Sequence, residues 1–295
     1  MKIKIWGSRG SIAIPGKETV KFGGNTSCVT VEIDDIFIIF DAGSGIRIFG
    51  DWLIRTGKKF EGNIFLTHFH WDHIHGFPFF TPVYSPETKL NIYGPANTDK
   101  TVIGIFEGHM VQPTFPVTID IMQADMNFFD LNEKETVGIK SKDTLIATVQ
   151  NARLNHPNGA IGYRIDHAES NKSVVYATDT EHFETGLPDK NVVSLAKGAD
   201  VLFYDAQYTE DDYYGLNGKM SKKGWGHSTW KEGIKVADIA GVKRLILFHH
   251  DPVHADSMLS AIENKAKEHL KNNRANFQKL GSVEMAYEGL TIDLD

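Results

Sequence analysis

The sequence predicts an α/β fold in which β-sheets pack on one another beneath covering helices. Two patterns carry that expectation. Short strand-like segments recur along the chain, and segments of helical period lie between and after them. A third observation says where chemistry would sit: four of the 13 histidines fall between positions 68 and 75, directly after one of the strands.

Residues 2–6 alternate in polarity and the strand breaks at Gly7. Residues 29–33 and 36–40 read as a hairpin closed by a tight Asp34-Asp35 turn. After Asp41 the period changes. Ile46, Phe49, Gly50, Leu53 and Ile54 fall at i, i+3, i+4, i+7 and i+8, one apolar helix face that Gly57 closes. Residues 63–67 form a short buried strand that runs straight into the histidines. A helix is expected from Asn97 to Met110, and Pro113 and Pro116 then force extended chain. Residues 95–135 are expected to form an insertion over the cleft. Strands return at 145–154, 160–166, 173–178 and 201–204. A helix over 228–240, with Ser228 as its N-cap, precedes a strand at 244–248. The last helix spans 256–271, with Asp256 as N-cap and Met258, Leu259, Ile262 and Ala266 as its core-facing stripe. No repeat or flexible linker interrupts the pattern, so residues 1–295 read as one domain.

Apolar residues make up 41% of the chain and charged residues 23%, which suits a globular protein with a sizeable core. The net charge of −7 lacks the general attraction that nucleic-acid binders need. The single cysteine, Cys28, excludes an intrachain disulfide framework and reads as a small buried hydrophobe on a strand. The opening residues lack the apolar core of a signal peptide, and no apolar run is long enough for a membrane span. The expected location is the cytoplasm.

The segment Thr67-His68-Phe69-His70-Trp71-Asp72-His73-Ile74-His75-Gly76 carries the strongest signal. Imidazole is the commonest nitrogen ligand of zinc, and a carboxylate among imidazoles adds the charge a divalent cation needs. At a strand end, a loop can fold several such side chains around one point. His75 reads as a neighbour of the site rather than a ligand. Three later residues have other uses when taken singly. His156, before Pro157, could shape a turn; Asp179 could cap one; and His249 and His250 end a strand side by side, where neighbours point to opposite faces.

The order His68-x-His70-x-Asp72-His73-x-x-Gly76 resembles the signature of the metallo-β-lactamase superfamily. The likeness covers nearly the whole chain, through His156 in Leu-Asn-His-Pro, Asp179 in Ala-Thr-Asp-Thr and the late pair in Phe248-His249-His250-Asp251. It implies an αββα four-layer sandwich and a binuclear site. His68, His70 and His156 would hold one metal, Asp72, His73 and His249 the other, and Asp179 would bridge them. A hydroxide between the ions would be the nucleophile, which Asp72 could orient. Two divalent ions are expected, zinc first, with manganese, iron or nickel as alternatives. The bridging position is an aspartate and no ligand is a cysteine, which departs from the common zinc β-lactamases.

Gly226-His227-Ser228-Thr229, followed by a helix and the strand ending at His249, resembles the C-terminal motif of ribonuclease Z and its phosphodiesterase relatives. That register selects His249 over His250. It also implies that His227, at a helix start suited to an anion, donates a proton to the leaving group. Asp205, ending an apolar strand, would orient His227. The glycine-rich loops at 7–11 and 23–27 read as turns at least as readily as anion cradles, and the resemblance places Asn25 and Thr26 at the cleft. His182, three residues after Asp179, is a further substrate-binding candidate.

Ribonuclease Z carries a protruding basic arm. The nearest candidate here is the short group Lys219, Lys222 and Lys223. The expected substrate is therefore a small phosphodiester such as a cyclic nucleotide, rather than a large nucleic acid. A homodimer is what the resemblance implies for assembly, and bacterial metal-dependent hydrolases share the Trp6-Gly7-Ser8-Arg9-Gly10 opening. Three rivals stand beside this reading: a tRNA 3′-processing endonuclease, a lactone, thioester or β-lactam hydrolase, and a non-catalytic metal-binding protein.

Overall fold

The computed structural model describes residues 1–58, 60–96, 99–183 and 186–294. Two mixed sheets of seven strands lie face to face. In the first, β1 (Lys2–Gly7), β2 (Cys28–Ile33) and β3 (Ile36–Phe40) are antiparallel. Then β4 (Glu61–Phe65), β5 (Lys89–Pro95) and β6 (Asp125–Leu131) continue in parallel. In the second, β7 (Thr136–Ser141), β8 (Thr144–Leu154), β9 (Ala160–His167) and β10 (Ser173–Ala177) are antiparallel. There β11 (Val201–Asp205), β12 (Arg244–Phe248) and β13 (Ser282–Met285) run parallel to β10. The last strand, β14 (Thr291–Asp293), returns to pair with β1 and closes the first sheet's edge.

Alternation along the strands builds three apolar layers. Ile38 and Phe40 of β3 and Ile246 and Phe248 of β12 meet between the sheets. Phe37 and Ile39 face outward, onto Ile46, Phe49 and Leu53 of α1 (Gly45–Thr56) and Phe106 of α3 (Val102–His109). On the far side, Leu245 and Leu247 pack beneath α4 (Lys190–Leu195), α6 (Trp230–Ala240) and α7 (Asp256–Asn272). The two short helices α2 (Trp71–Ile74) and α5 (Glu210–Tyr214) sit in loops. Helix, sheet, sheet, helix is the four-layer order the resemblance implied.

Most elements fall where the periodicity puts them. Asp34 and Asp35 take φ of 48° and 65°, the left-handed pair that a two-residue hairpin requires. Gly57 closes α1 at φ 64°, its N–H bonded to the Ile54 carbonyl. Both assigned N-caps are corrected. Thr229, not Ser228, caps α6 through Glu232 N–H, because Ser228 Oγ is taken by His182 Nδ1 at 3.0 Å. Ala255 precedes α7, because the Asp256 carboxylate accepts instead from the backbone N–H groups of Lys21 (2.8 Å) and Phe22 (3.1 Å). Of the helix expected from Asn97 to Met110, Val102–His109 is helical, capped by Thr101. Asn97 lies outside the described residues. The stretch 95–135 also supplies β6, the edge strand of the first sheet. Cys28 is fully buried, and burial pushes its thiol well above the ordinary range, which leaves it inert. Among the described residues, no helix is long and apolar enough to cross a membrane.

Candidate metal centre

The parallel strands of both sheets end at one edge of the sandwich, and the polar side chains collect there. Open α/β sheets place their sites at this end. Three residues just past strand ends adopt left-handed backbone: Asp41 after β3 (φ 60°), Asp179 after β10 (φ 57°) and His249 after β12 (φ 62°). Non-glycine residues rarely take that conformation, and each here turns its side chain inward. The loop after β4 brings His68 and His70, and the single turn of α2 folds Asp72 and His73 back beside them. Gly76 is required in that loop, since a Cβ there would lie 2.0 Å from the Gly43 carbonyl oxygen.

The side chains form two adjoining groups. In the first, His156 Nε2 stands 3.2 Å from His70 Nδ1, and the His68 ring lies 4.4 Å and 4.8 Å from the rings of His70 and His156. In the second, His73 Nε2, His249 Nε2 and Asp72 Oδ2 lie 3.2–3.3 Å from one another. Asp179 stands between them. Its Oδ2 is 3.3 Å from both His73 and His249, and its Oδ1 is 3.8 Å from His68 and 3.9 Å from His156. Ligands about 2.1 Å from a tetrahedral ion are about 3.4 Å apart, so this spacing fits a cation in each group. His68 Nε2 is buried and has no hydrogen-bond partner among the described residues, as a ring nitrogen aimed at an ion would.

The charge balance agrees. Burial lowers His68, His70 and His156, keeping these imidazoles neutral. Burial works to raise Asp72 and Asp179, but the surrounding imidazoles outweigh it and hold both carboxyls well below their ordinary range. Neutral imidazoles and ionised carboxylates are the forms a metal needs. The centre draws positive charge to itself. Burial would lower His73, yet Asp179, Asp72 and Asp41 raise it well above its ordinary value.

The outer ring nitrogens are fixed in turn. His73 Nδ1 bonds Asp41 Oδ2 (2.8 Å), His249 Nδ1 bonds Gln207 Oε1 (2.9 Å), and His156 Nδ1 donates to the Gly226 carbonyl (2.9 Å). Such bonds settle the tautomer and leave Nε2 facing the centre. Sequence reasoning missed Asp41, which is fully buried and also accepts from Thr67 N–H (2.8 Å) and Tyr176 O–H (3.0 Å). Its signal was present: a carboxylate directly after five buried apolar residues, the pattern that singled out Asp205. Gln207 was missed too, as was Glu181. The Glu181 carboxylate takes Tyr213 O–H (2.7 Å) and the N–H groups of Gly224 (2.8 Å) and Gly226 (2.9 Å), and so supports the carbonyl beneath His156.

Beside this centre, His227 Nδ1 bonds Asp205 Oδ2 at 2.8 Å, and the His227 ring stacks on His249 at 5.0 Å. Asp205 is fully buried and accepts from the N–H groups of Asp179, Ser228 and Gln207 at 3.0, 3.0 and 3.2 Å. Burial works to lower the His227 pKa, and the Asp205 charge outweighs it, so the pKa is raised. At the start of α6, Ser228 and Glu232 N–H are already bonded, to Asp205 and Thr229. A cavity of about 440 Å³ opens over His70, Asp72, Asp179, His227 and His249.

His250 turns away from the centre. Its Nε2 donates to the Ala286 carbonyl (2.8 Å), and burial pushes its pKa down to about 3. His75 bonds the Trp71 carbonyl and stands outside both groups. The three substrate-binding candidates are not among the residues lining that cavity. Asn25 bonds Glu288 (3.1 Å) and Ser44 (3.0 Å), Thr26 Oγ1 accepts from Ser44 N–H (2.9 Å), and His182 bonds Ser228. The residue that does arrive from the first glycine-rich loop is Ser11, whose N–H donates to Asp72 Oδ2 at 2.7 Å. Gly10 permits this approach, since a Cβ there would fall 2.5 Å from the His249 ring.

Residues 38–250 match the model of the beta-lactamase superfamily domain. The chain is 26% identical to ribonuclease Z of Picrophilus torridus over 302 aligned positions, which cover 90% of each sequence. Among solved structures it is similar to the short form of human tRNase Z, with a TM-score of 0.65 at 17% identity over all of both chains. It is also similar to unliganded yeast PDE1, with a TM-score of 0.67 at 16% identity over 99% of each. At these identities the two structures speak for the fold alone.

Proposed function

The chain belongs to the beta-lactamase superfamily, and from that premise we propose that it is a metal-dependent phosphodiesterase acting on a small phosphodiester such as a cyclic nucleotide. The observation that carries this reading is the His227–Asp205 pair, buried at the lip of the metal centre and 2.8 Å apart. Two divalent ions, zinc first on the chemistry of the donors, would be held by His68, His70 and His156, by Asp72, His73 and His249, and by Asp179 between them. Bound there, they supply Lewis acidity toward the phosphoryl oxygens and a nucleophile at neutral pH.

The chain's own groups do the rest. Asp205 accepts a hydrogen bond from His227 Nδ1–H, so the imidazole presents its other nitrogen to the cavity. The raised pKa keeps a proton available there for a departing alkoxide. Asp205 is a positioning residue, itself held by three backbone N–H groups. Ser11 N–H fixes the Asp72 carboxylate. The test is His227→Ala, which should slow cyclic nucleotide hydrolysis about 100- to 10,000-fold. It should hardly slow esters whose leaving group departs unprotonated, such as 4-nitrophenyl phosphodiesters. Equal losses on both would sink the assignment.

A small substrate is favoured by the charge of −7 and by how the candidate basic group is used. Lys219 pairs with Asp212 at 2.5 Å, and Lys222 lies 3.8 Å over the Trp225 ring. A cytoplasmic location fits the single buried thiol. The similarity to a ribonuclease Z along 90% of the chain favours a second reading, tRNA 3′-end processing. Cleavage of precursor tRNA without turnover of cyclic nucleotides would establish it.

A further inference from the structure

A second cavity, also about 440 Å³, adjoins the first and shares Phe69 and His70 with it. It lies within the size range of small-molecule sites, about 300–1,000 Å³. It touches His68 and His70 but not His227. This fixes which part of a substrate it can take. The departing arm must lie within reach of His227, and therefore in the first cavity. The arm that stays on phosphorus is the one free to enter the second.

The lining is part apolar and part polar. Phe69, Leu131 and Ile161 form the apolar part, and Asn132, Glu133 and Arg153 the polar part. Phe69 is set back against β5. A Cβ on Gly94 would lie 2.9 Å from its ring, so the glycine lets the ring rest on the strand and keeps the cavity open. Arg153 bonds Glu133 at 3.1 Å, with side chains 62% and 48% exposed. So exposed a pair is held weakly and can exchange partners with a ligand. An acyl chain would leave these polar groups unmatched. A further phosphate would meet Glu133 as well as Arg153. A flat heterocycle with donors and acceptors on its edge matches both halves.

We infer that this cavity, walled by Phe69 and edged by Arg153 and Glu133, binds the nucleoside that remains on the phosphate. The inference rests on the phosphodiesterase reading and narrows it to nucleoside phosphodiesters. In a linear ester this is the nucleoside of the retained arm; in a cyclic ester one nucleoside carries both the departing and the retained oxygen, and its base stays with the phosphorylated product.

The test compares 4-nitrophenyl phosphate diesters of thymidine and adenosine, joined at O5′, with methyl 4-nitrophenyl phosphate. The leaving group is common and only the retained arm differs. The metal-loaded wild type should prefer at least one nucleoside ester over the methyl ester about tenfold or more in kcat/KM, the scale of one base stacked on an aromatic ring. Arg153→Ala, and Asn132→Trp, which fills the cavity from its exposed edge, should each cut that ratio about tenfold, mainly through KM. Calorimetric binding of thymidine and adenosine 5′-monophosphates should weaken in parallel. A wild-type ratio near one, or a ratio that neither variant changes, overturns the subsite and leaves the phosphodiesterase reading standing. If neither these esters nor a cyclic nucleotide is turned over, that reading fails. Binding then decides alone: weakening in both variants supports the subsite, and no difference from wild type rejects it.

Discussion

Replacing Asp205 with asparagine tests the acid most sharply, because the structure leaves an amide no good orientation. One carboxylate oxygen accepts from Ser228 N–H (3.0 Å) and Gln207 N–H (3.2 Å). The other accepts from His227 Nδ1 (2.8 Å) and Asp179 N–H (3.0 Å). An amide must turn its NH₂ toward one of these pairs and set donor against donor. Each buried donor left unmatched costs about 1–3 kcal/mol, so a pair costs about 2–6 kcal/mol. If the NH₂ faces Ser228, His227 keeps an acceptor but loses the charge that raises its pKa. If it faces His227, the imidazole is driven into the wrong tautomer. Both routes weaken the acid, and hydrolysis of a cyclic nucleotide should fall about 100- to 10,000-fold. The sign in pH follows from the charge. Asp205 favours the imidazolium, so activity requiring it is lost as pH rises through the His227 pKa, and in Asp205→Asn that loss begins at lower pH. The assay is kcat against pH for a cyclic nucleotide and a 4-nitrophenyl diester, with thermal unfolding as a check on folding. Equal losses on both substrates, with an unmoved alkaline limb, would refute the role given to Asp205.

Three further outcomes are expected. Protein loaded in the cell should carry close to two transition-metal ions per chain by elemental analysis; one or none contradicts the two-ion reading. His249→Ala should lose about half of the bound metal, whereas His250→Ala should keep it and lose stability, about 1–3 kcal/mol from the stranded Ala286 carbonyl and more from the cavity the buried ring leaves, measured by denaturant unfolding. Gly10→Ala drives a methyl group toward the His249 ring, 2.5 Å away, and should lower metal affinity more than stability; unchanged affinity in a chelator competition would show that the loop yields freely.

The parts legible in the sequence are those where one local pattern decides. β3 and the Asp34-Asp35 turn were readable because five buried apolar residues meet a turn of two aspartates. The clustered side chains of the candidate centre were readable because their spacing around positions 68–73 is rare, and the family likeness carried the later ones. β5 and β6 were not. β5 contains Asn91, Gly94 and Pro95, and its Asn91 bonds Asn63 across the sheet, a pairing visible only once the strands are neighbours. β6 is the edge strand and largely exposed, so it shows no continuous apolar run. The substrate candidates Asn25 and Thr26 came from the family likeness, yet their bonds go to Glu288 and Ser44, both distant in the sequence. Ser11 reaches the centre through a backbone N–H, which no side-chain pattern announces.

The most direct test of a phosphodiesterase acting on small substrates is turnover by the metal-loaded protein of 2′,3′- and 3′,5′-cyclic nucleotides, with precursor tRNA as the competing substrate. The expected result is cyclic nucleotide hydrolysis that a chelator abolishes and added zinc or manganese restores. Cleavage of precursor tRNA alone, or a metal-replete protein inert toward every phosphodiester offered, would contradict it.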